Sequence, residues 1–523
     1  MSRVWPALAV CFCVIFATAA QAARAPVIVL VPLDDRPVTA QLPQLLGRIA
    51  GIEVSQPPTS LLGHYLTFGD PDAIIGWLNR TPHNVGAYVI SNDMLAYGGL
   101  VASRVPGPSY LDARTRMLEY ARLRRTHPTA WVASFATIMR LAPTGVPALG
   151  SAQSFFAAYP IWTYIMAYAN LHDPPLPSER ASAARDRALA GAAFDEYIAT
   201  RTRNYQVDYT LLDLLAADDV QRVVLGQDDA GPVGLHVRDV LGLRAHRQAL
   251  GLDRRAAIEP GADELGMVLV ARAMDRAVHW QPRIAVAYSH AGGAMTQDPI
   301  EFSPIHTTIA HLIRLIGGVE VTHRPQIVLD VRVPGSTALD DRALLQSLRA
   351  DELRGRSVAL VDETFLGGHY GSLARFSDSL LHSGVASKLD AYAAWNTDAN
   401  SVGTALSEAV AAGVGRRLGT YDALAHKTFT FMRIIDDVAF HADVRPELNT
   451  VLDAQGVSDH TYLLPDVAKA IAARNRAALW HASDRILREL YPGYHIAAMQ
   501  ITLPWNRTFE TQIDVGIAPD LRP

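Results

Sequence analysis

Short runs of apolar, often β-branched residues alternate with longer amphipathic stretches along most of the chain. Several of the short runs are apolar at every position, which is typical of parallel strands covered by helices on both faces. The predicted strands are residues 27–33, 52–55, 87–90, 131–138, 223–226, 284–288, 327–331, 358–361 and 389–394. The amphipathic stretches, such as 110–125, 182–200, 264–278 and 405–412, predict the intervening helices. This alternation indicates an α/β fold.

The number of strands favours a (β/α)8-type barrel with insertions, since about eight strands occur within roughly 370 residues. The alternative is an open, doubly wound parallel sheet. Residues 319–322 are a further candidate strand, so the total number of strands is not fixed by the sequence pattern. We assign the barrel-like region to residues 23–420, with an insertion at 142–213 between the fourth and fifth strands.

The pattern changes at residue 421. Helical stretches follow at 433–442 and 465–490, and a last apolar run lies at 494–503. We therefore predict a mostly helical C-terminal region over residues 421–523.

The first 22 residues have the form of a secretory signal peptide. Arg3 precedes an apolar run, and Ala20-Gln21-Ala22 is a small-x-small cleavage site. An uncleaved anchor is the alternative, but the run of about 16 apolar residues is shorter than the roughly 20 needed to span a bilayer. We expect a periplasmic or secreted protein with no stable membrane span after cleavage.

Composition narrows the chemistry further. The two cysteines, Cys11 and Cys13, both lie in the expected signal peptide, so the mature chain would have no thiol nucleophile, disulfide or cysteine-bound metal. The net charge of −5 without a basic block argues against a nucleic-acid partner. No glycine-rich nucleotide fingerprint or Walker loop occurs, and we expect no cofactor.

Polar residues collect where the predicted strands end, which is the ligand-binding edge in both candidate folds. These residues are Asp34, Asp35, Arg36, Asn92, Asp93, Asp228, Asp229, His290, Asp362, Trp395 and Asn396. Asp263 and Glu264 join them because they open a helix that runs back towards the next strand, so its N-terminus lies at the same edge. Ordinary turn and helix-capping preferences are the competing explanation.

Paired acids can supply one proton donor and one base, because two nearby like charges raise one pKa. Asp228 and Asp229 can share a site only if the strand has already ended, since successive strand residues face opposite sides. Asp34 could equally form a structural ion pair with Arg36. We interpret Asp436 and Asp437 as structural, and Trp505 as an anchor for the C-terminal residues.

The motifs as a set resemble the DUF4127 family of bacterial proteins. The segments that carry the resemblance are 32–37, Asp93 with 97–100, 227–230, 261–264 and 395–397, and they extend over nearly the whole chain. The function of this family is unknown, so the resemblance implies which residues belong together and assigns no catalytic role.

Three functions remain open. The first is an exported glycoside hydrolase acting on a bacterial or environmental glycan, for instance one with N-acetylated amino sugars. Its general acid would be Asp228 or Asp229, with Asp34 and Glu264 as catalytic partners. The substrate-binding residues would be Asp35, Arg36, Asn92, Asp93, Asp263, His290, Asp362, Trp395 and Asn396.

The second is a metal-dependent hydrolase of ester, amide or phosphate bonds. The ligands would be Asp34, Asp93, Asp228, His290 and His369, although no tight metal-binding signature occurs. The third is an exported sugar-binding protein without catalysis. In each case the partner is a carbohydrate or another small polar molecule.

Overall fold

The computed structural model describes residues 27–159, 176–228, 234–299, 301, 303–366 and 369–520. The expected signal peptide, 1–22, lies outside these residues, and so does Asp229. The side chain of His369 also lies outside the described part of the chain.

The first half of the chain forms a six-stranded, fully parallel sheet, the first sheet. Its strand order is β2-β1-β3-β4-β5-β6. β1 and β4 are buried at every position, as their uninterrupted apolar sequences require. The strands are β1 (Val27–Val31), β2 (Val54–Ser55), β3 (Val85–Ser91), β4 (Trp131–Ile138), β5 (Arg222–Gln227) and β6 (Ala256–Pro260).

Five later strands form a second parallel sheet, with the order β13-β10-β9-β7-β8. Two antiparallel hairpins, β11–β12 and β14–β15, complete the described strands. The bounds are β7 (Arg283–Tyr288), β8 (Val319–Glu320), β9 (Ile327–Arg332), β10 (Ser357–Asp362), β11 (Thr364–Leu366), β12 (His369–Gly371), β13 (Ala391–Ala393), β14 (Tyr494–Thr502) and β15 (Gln512–Pro519).

The two sheets correct the expectation of a single barrel. Over the described residues β6 does not pair with β7, so the strands do not close on one another. The open parallel sheet that we weighed as the alternative fits, but it occurs twice. A pattern of alternating strands and helices specifies parallel pairing, whereas closure depends on which edge strands meet, and that leaves no periodic signal in the sequence.

Most helices lie between successive strands or in the C-terminal region. Those described are α1 (Leu42–Ala50), α2 (Pro71–Leu78), α3 (Asn92–Tyr97), α4 (Leu100–Ser103), α5 (Tyr110–Met117), α6 (Glu119–Thr126), α7 (Ser151–Ala158), α8 (Pro177–Ala190), α9 (Ala192–Ala216), α10 (Leu235–Ala249), α11 (Leu265–Ala277), α12 (Ile305–Leu315), α13 (Ala338–Leu353), α14 (Ala374–His382), α15 (Asp398–Leu418), α16 (Ala423–Ile434), α17 (Arg445–Ala454) and α18 (Pro465–Leu490). Every described helix is too short or too polar to cross a membrane.

Helices α11 and α15 form a layer shared by the two sheets. Helix α11 packs on β3 of the first sheet, α15 packs on β10 and β13 of the second, and the two helices contact each other. Residues 398–415 of α15 are all buried, and small residues make this close approach feasible. At Gly403, for example, an added Cβ would lie 2.5 Å from the side chain of Glu264. One hydrophobic core therefore continues from the first sheet to the second.

Several predicted elements need correction. The run at 494–503, which we assigned to a mostly helical region, is strand β14, because it pairs with β15. Strand β6 was missed, since its sequence is short and ends in Glu-Pro. The helix expected at 433–442 is a π-helical continuation of α16 over Ile435–Val444. In contrast, the predictions of 131–138 and 465–490 are confirmed.

Candidate functional site

A cavity of about 650 Å³ opens at the carboxyl edge of the first sheet. Segments that follow β1, β3, β4, β5 and β6 form one side of it. The start of α15 and the C-terminal residues form the other side. Its charged and amide lining residues are Arg36, Arg104, Arg140, Gln227, Asp228, Asp263, Glu301, Asn396, Asn400, Arg445, Asp459 and Arg507.

Arg36 joins the ends of β1 and β6 at the cavity wall. Its Nε lies 3.0 Å from both carboxylate oxygens of Asp34, and its terminal nitrogens donate to Asp263 at 3.0 and 2.6 Å. Thr39 also donates to Asp34, at 2.7 Å. Burial raises the pKa of Asp263, and the charge of Arg36 opposes this effect. Arg36 and Asp263 line the cavity, whereas Asp34 is buried behind them.

Asp35 holds the C-terminal residues against the first sheet. One carboxylate oxygen accepts a hydrogen bond from Trp505 Nε1 at 2.8 Å, and the other lies 2.6 Å from His64 Nδ1. Trp505 stacks on Tyr65 with ring centroids 4.9 Å apart. The guanidinium groups of Arg36 and Arg507 also lie over the Trp505 ring. These contacts cover Trp505, and it is an anchor as expected.

Asp228 projects to the cavity from the end of β5 and forms an ion pair with Arg104. Asp93 lies behind it and accepts hydrogen bonds from Thr137 N at 2.8 Å and Thr137 Oγ1 at 3.1 Å. Burial raises the pKa of Asp93 to about 7, and the charge of Asp228 adds to this effect. Asn92 is buried too, and its Oδ1 accepts a hydrogen bond from Tyr120 at 3.3 Å.

Glu264 connects the end of β6 to α15. Its Oε2 accepts hydrogen bonds from Asn400 Nδ2 at 2.8 Å and from the Ala262 amide at 3.2 Å. Its Oε1 is buried without a hydrogen-bond partner. Burial raises the pKa of Glu264 to about 8. The geometric argument placed Glu264 at the correct edge, although the sequence analysis did not predict strand β6, which ends shortly before it.

Glu301 is the cavity carboxyl group that the sequence analysis missed. It is only 4% exposed, and it accepts hydrogen bonds from the Ala399 amide at 2.9 Å and from Thr308 at 3.2 Å. Burial raises the pKa of Glu301 to about 7. Glu301 does not follow a strand directly, so the strand-end criterion passed over it. The available signal was an acid shortly before a proline that begins an amphipathic helix.

Three more buried acids surround Glu301, and we call the four residues the acidic cluster: Asp298, Glu301, Glu363 and Asp398. Burial raises the pKa values of Glu363 and Asp398 well above their usual range, and the other cluster charges reinforce this shift. Among the described residues, neither Glu301, Glu363 nor Asp398 has an arginine or lysine within 4 Å. The cluster therefore favours protonated carboxyl groups at neutral pH.

Besides Asp35, Asn92 and Asp93, three further expected substrate-binding residues do not line the cavity. His290 contacts the Ala291 and Pro334 carbonyls at 2.9 and 3.2 Å. Asp362 is buried in an ion pair with Arg332 at 3.0 Å. Trp395 is buried and donates to Thr404 at 3.2 Å. Their positions at strand ends predicted cavity-lining side chains, but these side chains make local contacts within the protein instead.

Asn396, in contrast, does line the cavity. It has a left-handed backbone with φ of 59°, and its Nδ2 donates to Asn400 Oδ1 at 2.6 Å. Asparagine tolerates this conformation better than most residues.

No three His, Cys, Asp or Glu side chains in the described part of the chain are arranged to hold a metal ion. Asp34, Asp93 and Asp228, three ligands of the metal-site hypothesis, lie in the hydrogen-bonded pairs given above.

Comparisons with known proteins add one match. No curated protein and no solved structure matches the chain. A family model described as "Protein of unknown function (DUF4127)" matches residues 28–514. This match confirms the resemblance carried by the strand-end motifs, and the chain belongs to the DUF4127 family.

Proposed function

We propose that the cavity is the active site of an exported glycoside hydrolase that uses two carboxyl groups. The supporting observation is that Asp228 and Glu301 line one cavity in opposite electrostatic environments. Asp228 is paired with Arg104, whereas Glu301 is buried without a cationic partner among the described residues. Glycoside hydrolysis needs this division between a carboxylate and a carboxylic acid.

In the proposed reaction, Glu301 donates its proton to the oxygen of the leaving group as the glycosidic bond breaks. The Asp228 carboxylate either takes a proton from the attacking water or attacks the anomeric carbon itself. This gives Asp228 the opposite role from the general acid expected from sequence, because a guanidinium pairs with the carboxylate form. Asp229 lies outside the described residues, and its catalytic role stays a prediction.

The other predicted catalytic residues become positioning residues. Asp34 holds Arg36, and Glu264 holds Asn400. Asn396, Asn400 and Gln227 present amide groups on the cavity wall, and these suit the hydroxyl or acetamido groups of a sugar. The substrate would be a bacterial or environmental glycan, consistent with the export predicted from residues 1–22.

The test is hydrolysis of a panel of nitrophenyl glycosides, including N-acetylated sugars, by the mature chain with and without EDTA. We expect EDTA-insensitive cleavage. Glu301→Gln and Asp228→Asn should each lower kcat by about 10²–10⁴-fold, with a melting temperature close to that of the parent.

The matched control is Asp330→Asn. Asp330 is a buried acid of β9 whose pKa burial also raises to about 7, but it does not line the cavity. We expect its kcat to stay within about twofold of the parent, because general-acid catalysis requires contact with the substrate.

Full activity of Glu301→Gln would refute its assignment. Cleavage abolished by EDTA would favour the metal-dependent hydrolase. Ligand stabilisation without turnover of any glycoside would favour the sugar-binding protein.

A further inference from the structure

The cavity wall carries more arginines than acids. Five guanidinium groups line it, from Arg36, Arg104, Arg140, Arg445 and Arg507. The lining acids are Asp228, Asp263, Glu301 and Asp459. Glu301 carries only part of a negative charge near neutral pH because burial raises its pKa to about 7. The positive charge of this wall therefore exceeds the negative charge.

Three of these arginines are balanced by nearby carboxylates. Arg36 binds Asp263 and Asp34, and Arg104 binds Asp228. Arg507 makes a two-point contact with Glu510 at 2.7 and 2.5 Å. The positive charges of these three arginines are therefore largely neutralised by carboxylates of the protein itself.

Arg445 differs from them. Its Nη1 makes a long polar contact with His441 Nδ1 at 3.4 Å, and its Nε is buried without a hydrogen-bond partner. No described carboxylate lies within 4 Å of its guanidinium group. A guanidinium carries five N–H donors, so most of the donor capacity of Arg445 is unused.

The nearby acids do not neutralise Arg445. Asp436 is bound to Arg433 at 2.9 Å, and Glu510 is bound to Arg507. Burial lowers the pKa of Arg445 to about 10, and the charge of Arg507 contributes to this shift. Arg445 and Arg507 both lie over the Phe509 ring, at 5.0 and 4.8 Å. Two guanidinium groups thus lie over the same aromatic ring beside the cavity, and the Glu510 carboxylate pairs with Arg507 alone.

We infer that Arg445, with Arg507 beside it, binds an oxyanion group of the substrate. The chemistry suits the carboxylate of a sugar acid, or a sulfate or phosphate ester, because guanidinium groups bind such groups through paired N–H donors. The inference deepens the proposed function by naming an anionic glycan as its substrate class. Binding can be measured without turnover, so the two proposals can fail separately.

The experiment is calorimetric titration of the mature chain with matched probes. Glucuronate and galacturonate are compared with glucose and galactose, and inorganic sulfate and phosphate form separate arms. We expect at least one anion to bind about tenfold more tightly than the neutral sugars, because hydrogen bonds between a guanidinium group and an oxyanion are charge-assisted. The arm that binds identifies the oxyanion.

Arg445→Gln should weaken binding of that anion by about tenfold or more and leave binding of the neutral sugars unchanged. Lys469→Gln removes an exposed positive charge from α18 and should change neither affinity. Arg445→Lys keeps the charge but not the fork of donors, and it should lie between the parent and Arg445→Gln. The lysine variant also provides the test if the glutamine variant does not fold.

Equal affinity for anionic and neutral probes would overturn the inference. So would anion binding that is unchanged in both Arg445 variants. Anion binding that depends on Arg445, without hydrolysis of any glycoside, would support the inference and reject the hydrolase. Hydrolysis of neutral glycosides without any preference for anions would support the hydrolase and reject the anion-binding inference.

Discussion

The pair of acids around Arg36 and the acidic cluster around Glu301 both lie near the cavity, and both are buried. At the first location, one guanidinium group binds Asp34 and Asp263 together. At the second, Glu301, Glu363 and Asp398 have no such partner among the described residues, and burial raises their pKa values. The comparison shows that buried acids have two different uses. A paired acid fastens strands together, whereas an unpaired one holds a proton near neutral pH.

The largest expected loss of stability comes from removing Arg36, the cation that pairs with Asp34 and Asp263. Arg36→Met leaves two buried carboxylates without their partner, and breaking a buried ion pair in this way costs about 3–5 kcal/mol. Urea unfolding measures the loss. The control is Arg488→Met, which breaks an exposed pair with Asp484 and should cost about 1 kcal/mol or less. Equal losses would mean that Arg36 does not fasten these strands.

A smaller loss is expected where the C-terminal residues join the same region. Trp505→Phe removes the hydrogen bond to the Asp35 carboxylate while keeping an aromatic ring against Tyr65. Hydrogen bonds to charged groups contribute about 1.5–3 kcal/mol, so we expect a loss of about 2 kcal/mol in urea unfolding. An unchanged free energy of unfolding would show that stacking alone anchors these residues.

The acidic cluster should make stability depend on pH. A raised pKa means that the folded chain keeps its proton where the unfolded chain has lost it. The stability that Glu363 provides in its neutral form is therefore present below its usual pKa of 4.5 and is lost as the pH rises above it. Each pKa unit corresponds to about 1.4 kcal/mol.

Glu363→Gln should reduce the fall in stability between pH 5 and pH 8 by at least about 1.4 kcal/mol. Chemical unfolding at the two pH values measures this difference. Glu447→Gln, at an exposed position of α17, is the control and should leave the difference unchanged. A fall that is the same in all three proteins would contradict the assignment of raised pKa values to the cluster.

The smallest effect is expected at the helix that borders the cluster. The Thr397 side chain caps α15 by accepting a hydrogen bond from the Asn400 amide, and Thr397→Ala should cost about 1 kcal/mol. Thr337→Ala removes the equivalent cap from α13 and should cost about the same. A hydrogen bond from Thr397 also lowers the pKa of Glu301, so Thr397→Ala alone should steepen the loss of stability with rising pH. Identical pH profiles for the two variants would count against that contact.

Many strands and helices of the fold could be predicted from the sequence, but whether the strands close into a barrel could not. Apolar runs such as Trp131–Ile138 mark parallel strands because both of their faces are buried. Strand β6 was missed because its run is short and ends in Glu-Pro. The run at 494–503 follows a long helical stretch and was grouped with it, whereas its pairing with β15 makes it a strand.

The candidate site was recovered unevenly. Arg36, Asp228 and Asn396 line the cavity as expected, since they lie shortly after predicted parallel strands. Asp263 lines it as well, and it was expected there because it opens a helix whose N-terminus lies at the same edge. His290 and Asp362 also follow strands but do not reach the cavity. Glu301, Arg445 and Arg507 were missed because they lie far from any predicted strand end in sequence.

The sequence by itself determined the alternation of parallel strands with helices, the edge at which polar residues collect, and the family to which the chain belongs. These properties depend on local periodicity and on motifs of a few residues. The tertiary structure decided that there are two sheets, that Arg36 spans 227 residues to reach Asp263, and that Glu301 has no cationic partner in the described part of the chain. The reason is physical: the pairing and protonation of a buried charge depend on which distant residues fold against it.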